Sequence, residues 1–225
     1  MVKRRAFLNS WWTSVLAVAF VGVFLMAGSL SRPAQAEEFS AGAKKFIESL
    51  TQDAIDMLTG DLTREERADR FRTLMNKNFS IPGIAKFVVG RHLRKATEAE
   101  KTQYMQLYED LMVATYADRF AKYSGERLVV KNADVRGEKD VIVYTTMVKA
   151  DNGANPLKVD WRVRLKGDHY TIIDVMVEGI SMIMTQKSEF SSFIKSSGGE
   201  FKTLLGELKK RVDENKNKSD KTAKK

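Results

Sequence analysis

Residues 157–166 read Leu-Lys-Val-Asp-Trp-Arg-Val-Arg-Leu-Lys, and the alternation is unbroken. Leu157, Val159, Trp161, Val163 and Leu165 fall on one side of such a strand; Lys158, Asp160, Arg162, Arg164 and Lys166 fall on the other. One wholly apolar and one wholly charged face is the mark of an antiparallel sheet that is covered on one side and wet on the other. Such a strand needs neighbours to pair with and a separate apolar layer to cover it. The rest of the chain must supply both.

The neighbours lie close by. From Leu128 the hydrophobic period is 2, giving strands over 128–135 and 141–148 before the alternating one and over 170–177 after it. Glycine-rich turns, Arg136 to Asp140 and Gly167-Asp168, separate them. The cover comes from helices, because before Leu128 the period is 3.6. Phe46, Ile47, Leu50, Ala54, Ile55 and Leu58 form one stripe that Gly60 ends. Thr63 to Glu66 and Thr97 to Glu100 both have the capping-box pattern. The first opens a helix carrying Phe71, Leu74, Met75 and Phe79. The second opens the longest helix, running to about Tyr123, with Tyr104, Leu107, Tyr108 and Leu111 on its inward stripe.

After Gly179 the helical period returns through Phe190, Phe193 and Ile194, then through Phe201, Leu204, Leu205 and Leu208. The expected fold is therefore α+β, a curved four-stranded antiparallel sheet covered by helices. A sheet bent over helices makes a cone whose interior is either a packed core or a pocket.

The first 36 residues read as an export signal. Lys3, Arg4 and Arg5 precede an apolar run from Trp11 to Ala27, and Ala34-Gln35-Ala36 suits signal peptidase. We place the cut after Ala36; the competing reading is an uncleaved anchor. Arg4-Arg5-Ala6-Phe7-Leu8 resembles a twin-arginine signal, and an ordinary Sec signal is the alternative. Either route leads to the periplasm. Residues 37–211 read as one domain and 212–225 as a disordered basic tail.

Charge removes one class of function. Four of the 38 basic residues lie in the leader, and residues 209–225 hold eight more against three acids, leaving 26 of each sign between 37 and 208. A neutral body lacks the footprint of a nucleic-acid binder. With no cysteine in the chain, thiolate metal sites, disulfides and cysteine nucleophiles are excluded.

Little else points to catalysis. His92 and His169 have no metal-ligand spacing and read as turn or surface residues. Gly179-Ile180-Ser181-Met182-Ile183 lacks the final glycine of a nucleophile elbow. Asp174 reads as a hydrogen-bond acceptor near the strand end and Glu178 as a turn residue. No cofactor is expected.

The block Tyr170-Thr-Ile-Ile-Asp174-Val-Met-Val-Glu178-Gly179-Ile-Ser181-Met182 resembles the end of the last strand in the MlaC (toluene-tolerance) family. Thr185 to Phe190, Gly198 to Leu208, Gly90 to Thr97 and Tyr116 to Phe120 resemble family landmarks as well, and the similarity covers nearly all of residues 39–211. A departure is His92-Leu93, where the family often has a tryptophan further on. The resemblance implies an NTF2-like fold with an internal apolar pocket and a periplasmic phospholipid carrier, not an enzyme. The implied partners are an outer-membrane lipoprotein complex and an inner-membrane MCE-type ABC transporter. Two alternatives are a carrier of hopanoid or other polycyclic lipid and, in another class, an NTF2-like enzyme. Alternation and resemblance together lead us to expect acyl chains between the apolar sheet face and the longest helix. The expected lining is Tyr104, Leu107, Tyr108 and Leu111, then Trp161, Val163 and Leu165, then Val175 and Val177, then Ile180, Met182 and Met184. A bulky or charged residue at Val163 or Val177 is expected to empty that pocket and leave the fold intact.

Overall fold

The computed structural model describes residues 31–149 and 156–223, with side chains over 36–149 and 156–217. The expected leader lies outside the described residues apart from its last few, which are helical. Residues 1–38 cluster as one unit and residues 39–225 as another. The second unit carries the fold.

Among the described residues, six α-helices and one sheet make up the fold. Helix α1 is Ser31–Leu58, α2 Arg64–Asn78, α3 Ile81–Val89 and α4 Glu98–Tyr116, with 3-10 turns at Gly90–Lys95 and Ala117–Lys122. Strands β1 (Arg127–Arg136), β2 (Asp140–Val148), β3 (Leu157–Lys166) and β4 (His169–Val177) follow, then a two-residue β5 (Ile180–Ser181), α5 (Met182–Ser196) and α6 (Phe201–Ala223). Both capping boxes form: the Thr63 hydroxyl accepts from the Glu66 amide, and the Thr97 hydroxyl from the Glu100 amide. The turn between α1 and α2 is closed by Arg67, whose buried guanidinium donates to the Leu58 and Leu62 carbonyls at 3.1 and 3.2 Å. The Leu58 carbonyl is one that the end of α1 leaves without a helical partner, and the Leu62 carbonyl belongs to the loop that follows.

The sheet is a meander in the order β1-β2-β3-β4-β5, antiparallel throughout. It has five strands where four were expected, because Ile180 and Ser181 pair with Val177 and Met176 before α5 begins. The free edge of β4 is shielded further along, where the Ser80 amide donates to the Ile172 carbonyl at 2.9 Å. Register slips once in β1, at Lys131, and once in β4, at Ile173. Each slip is a β-bulge, which bends its strand and increases the local twist.

The charged face of β3 meets Asp140 on β2. Arg162 and Arg164 both fork onto that carboxylate, at 2.6 to 3.0 Å, and it is almost fully buried beneath them. The hydrogen bond from Arg164 is the largest influence holding the Asp140 pKa below its ordinary value.

Two hydrophobic clusters result. One is a helical core of α3, α4, α5 and α6, where α4 packs on α6 and α3 on α5. The other lies between the apolar face of the sheet and helices α1 and α2. Helix α6 also corrects the expected tail. Val212 is buried and Asn215 donates to the Thr115 hydroxyl at 3.1 Å, so helix continues through residues expected to be disordered.

Candidate functional site

Pairing lets the covered face be read row by row. Leu128, Met147 and Leu157 lie side by side at the end where β2 leaves for β3. Next come Val130, Thr145, Val159, Val177 and Ile180, then Ala133, Val143, Trp161 and Val175. Val135, Val141, Val163 and Ile172 follow, and Leu165 with Tyr170 closes the series.

Burial differs between these rows, and the last pair, Leu165 and Tyr170, is half-buried. Val141, Val163 and Ile172 are each 0 % exposed, whereas Met147 is 37 %, Leu157 40 % and Ile180 59 % exposed. The covered face, called the trough below, is thus dry at the row of Val141, Val163 and Ile172 and exposed where Met147, Leu157 and Ile180 stand. The open end lies where β2 leaves for β3 and includes the β4–β5 turn.

The closed end is set by α1. Ala43, Ile47 and Leu50 are buried against the sheet valines, and Tyr170 stacks between Phe39 and Phe46 with ring centroids 6.0 Å from each. The Tyr170 hydroxyl donates to the Phe39 carbonyl at 3.2 Å. Gly42 makes this approach feasible, since a Cβ there would collide with the Tyr170 hydroxyl. Midway along the trough, Trp161 is held by its indole N–H, which donates to the Thr145 hydroxyl at 3.1 Å. Thr145 in turn donates to the Val159 carbonyl, so this buried polar pair adds no free hydrogen-bonding group to an apolar surface.

The two clusters differ in how completely they are filled. In the helical core, buried side chains outnumber half-buried ones. Under the sheet the order is reversed, and Phe39, Phe46, Phe71, Phe120, Trp161 and Tyr170 are among the half-buried. The pocket expected from the sequence thus takes the form of a graded face into which α1 sets its side chains.

The expected lining residues divide between these clusters. Trp161, Val163 and Val175 lie together in the trough, Leu165 and Val177 share its face, and Ile180 stands at its mouth. Tyr104, Leu107, Tyr108 and Leu111 are a correction: they belong to the helical core. Tyr104 donates to the Ala85 carbonyl at 2.8 Å and meets Phe201 edge-on, and Tyr108 donates to Gln186 at 2.7 Å. Burial pushes both phenol pKa values well above the ordinary range. Their stripe is covered by α6 and α5, so α1 is left to face the sheet.

The methionines are corrected too. Met182 opens α5, Ile183 turns into the helical core, and Met184 is 53 % exposed rather than part of a pocket floor. Sequence reasoning also missed Val141, Val143, Tyr170 and Ile172, all on the trough face. A usable signal existed in the apolar stripe of α1, which needed a surface to cover.

The block at the start of α5 has a structural role. Ser181 is the N-cap, accepting from the Met184 amide at 3.2 Å and donating to Asp174 at 2.6 Å. Asp174 also accepts from the Ile183 amide at 3.3 Å. Glu178 (φ 50°) and Gly179 (φ 78°) form the tight turn before it, a conformation that makes glycine the natural second residue. Replacing Ser181 by alanine removes a cap and a donor to a buried carboxylate. It should lower stability by about 2 kcal/mol in urea unfolding. A change under about 0.5 kcal/mol would show that Asp174 is satisfied without it.

A helix-covered antiparallel sheet with one apolar face defines an α+β protein, and an NTF2-like fold is consistent with it. Among the described residues, no group of three or more His, Cys, Asp or Glu side chains is placed to hold a metal ion. The chain belongs to the MlaC family, whose model, described as MlaC protein, matches residues 33–210. Its fold is also that of a phospholipid-binding protein from Ralstonia solanacearum, a structure solved in complex with a phospholipid. That match has a TM-score of 0.67 at 19 % identity and covers 76 % of this chain and 97 % of the other.

Proposed function

We propose that the chain is a periplasmic phospholipid carrier whose cargo lays its acyl chains along the trough, with the headgroup left at the open end. The observation that carries this reading is the burial gradient, from Val141, Val163 and Ile172 to Met147, Leu157 and Ile180. A site built for an amphiphile needs such a gradient, because its tails require a dry end and its headgroup a wet one. Membership of the MlaC family and a fold shared with a protein solved with phospholipid support the same reading.

The energetics demand a carrier. At about 0.8 kcal/mol per methylene, two chains of roughly sixteen carbons gain on the order of 25 kcal/mol by leaving water. Unaided passage between membranes is correspondingly slow. Two of the half-buried rings, Phe39 and Phe46, are carried by α1 against the trough and are suited to exchange, because acyl chains can replace them at little cost in exposed apolar area. The reading requires no chemical step and no cofactor. It places the carrier between an outer-membrane lipoprotein complex and an inner-membrane MCE-type ABC transporter, delivered to the periplasm by a leader cut after Ala36.

Mass spectrometry tests these points together. Native protein purified from a periplasmic extract should carry about one phospholipid per chain, and its polypeptide should begin at Glu37. Freshly prepared native protein without lipid would overturn the carrier reading. A polycyclic lipid mass would replace the cargo, and an intact leader would replace the soluble form with an anchored one.

A further inference from the structure

The mouth of the trough does not end at Ile180. Met184, four residues on in the first turn of α5, is 53 % exposed, and Lys187 follows one helical turn later. The Lys187 ammonium sits 4.1 Å from the centroid of the Phe87 ring, which is itself 41 % exposed on α3. Ile180, Met184 and Phe87 thus make a strip of exposed apolar side chains leading away from the open end.

That strip runs into a basic corner. The 3-10 turn after α3 reads Gly-Arg-His-Leu-Arg-Lys and exposes Arg91, Arg94 and Lys95. Lys187 also lies beside this turn, its Cε 3.8 Å from where a Cβ on Gly90 would be. Burial first, then the charges of Arg91, Lys95 and Lys195, hold the His92 pKa below its ordinary value, which sets the α5 residue Lys195 near the same turn. Among the described residues, none of Arg91, Arg94, Lys95, Lys187 and Lys195 makes an ion pair. The carboxylates that follow the 3-10 turn are already engaged, Glu98 with Lys101 and Glu100 in its capping box, and Glu189 beside Lys187 pairs with Arg211. In a body whose opposite charges balance, this is a local cluster of cations without carboxylate partners.

We propose that this corner, formed by the 3-10 turn, Phe87 and the first turns of α5, is the surface on which the carrier lands on an anionic phospholipid bilayer. Unpaired lysines and arginines draw a surface toward negatively charged headgroups, and the attraction fades with salt. An exposed aromatic under a lysine stem suits the boundary between headgroups and acyl chains, where each side chain keeps its polar end wet. The apolar strip then joins the bilayer to the trough, so landing presents the open end to the lipid that is to be taken up or released. This last step rests on the carrier reading; the landing surface itself does not.

The test is vesicle co-sedimentation of the full exported chain, with phosphatidylcholine vesicles prepared with and without phosphatidylglycerol. Binding is expected only with phosphatidylglycerol and should be released by salt. The triple variant Arg91→Glu, Lys95→Glu, Lys195→Glu should bind at least about tenfold less, with Phe87→Ser showing a smaller loss. All three charge reversals are on exposed side chains outside the trough, and an unchanged melting curve verifies the fold. Equal binding to neutral vesicles, or a triple variant that binds like wild type, would overturn the proposal. So would a chain that ignores vesicles and instead loses capture by an acidic protein surface on charge reversal. Lipid content measured on the same preparations separates the two readings: an empty chain that still shows charge-dependent binding supports the landing surface and refutes the carrier.

Discussion

Replacing Val177 by glutamate is expected to lower the phospholipid that co-purifies with the chain by at least about tenfold while leaving the fold standing. Val177 belongs to the second row of the trough, between Val159, 6 % exposed, and Ile180, 59 % exposed. In the free chain a carboxylate there reaches water past Ile180, so folding is barely affected. With an acyl chain alongside, the same carboxylate loses that water without gaining a partner. Burying an unpaired polar group costs a few kcal/mol, and each 1.4 kcal/mol is about a factor of ten in occupancy. Lipid content by extraction, with a melting curve as control, gives the result. A folded variant carrying a full load would move the cargo away from this face.

Glutamate at Val163 should act differently, by unfolding the domain. Val163 is 0 % exposed and is paired on β2 and β4 with Val141 and Ile172, which are equally buried. Neither neighbour opens a route to solvent for the Val163 side chain. A charge placed there should cost about 4 kcal/mol or more, which for a domain of this size lowers the melting temperature by at least about 10 °C. Sequence alone treats the two valines as equivalent probes, and the structure separates them into a mouth position and a packed end. A Val163→Glu chain that melts like wild type but carries no lipid would show that the closed end is loose enough to admit cargo.

The contrast shows what the sequence makes legible. Alternation along β3, the change of period at Leu128 and the two capping boxes are local patterns, and the strands and helix starts they predict form within a residue or two of the expected positions. Helix α4, expected to be the longest and to reach Tyr123, ends at Tyr116, continues as a 3-10 turn to Lys122, and is shorter than α1 and α6. Family membership was legible as well, in the block from Tyr170 to Met182. The partners of each face were not. Periodicity marks Tyr104, Leu107, Tyr108 and Leu111 as an apolar stripe, yet nothing local says that α6 rather than the sheet will cover it. Parity misleads in β4, where Tyr170 and Ile172 share the trough with Val175 and Val177 only because Ile173 is an extra residue. Ile180 and Met184 read as interior from their hydrophobicity, but one stands at the mouth and the other faces solvent.

The two bulges have a consequence of their own. In β1 the trough residues are Leu128 and Val130, then Ala133 and Val135, with Lys131 unmatched; β4 repeats the pattern around Ile173. Excising either unmatched residue would leave every remaining side chain of its strand on its present side, whereas a deletion elsewhere in the strand would turn part of it inside out. Lys131 and Ile173 are therefore superfluous to pairing and act on the strand through its bend. The bend of the sheet over its helices thus depends on two residues that no neighbouring strand pairs.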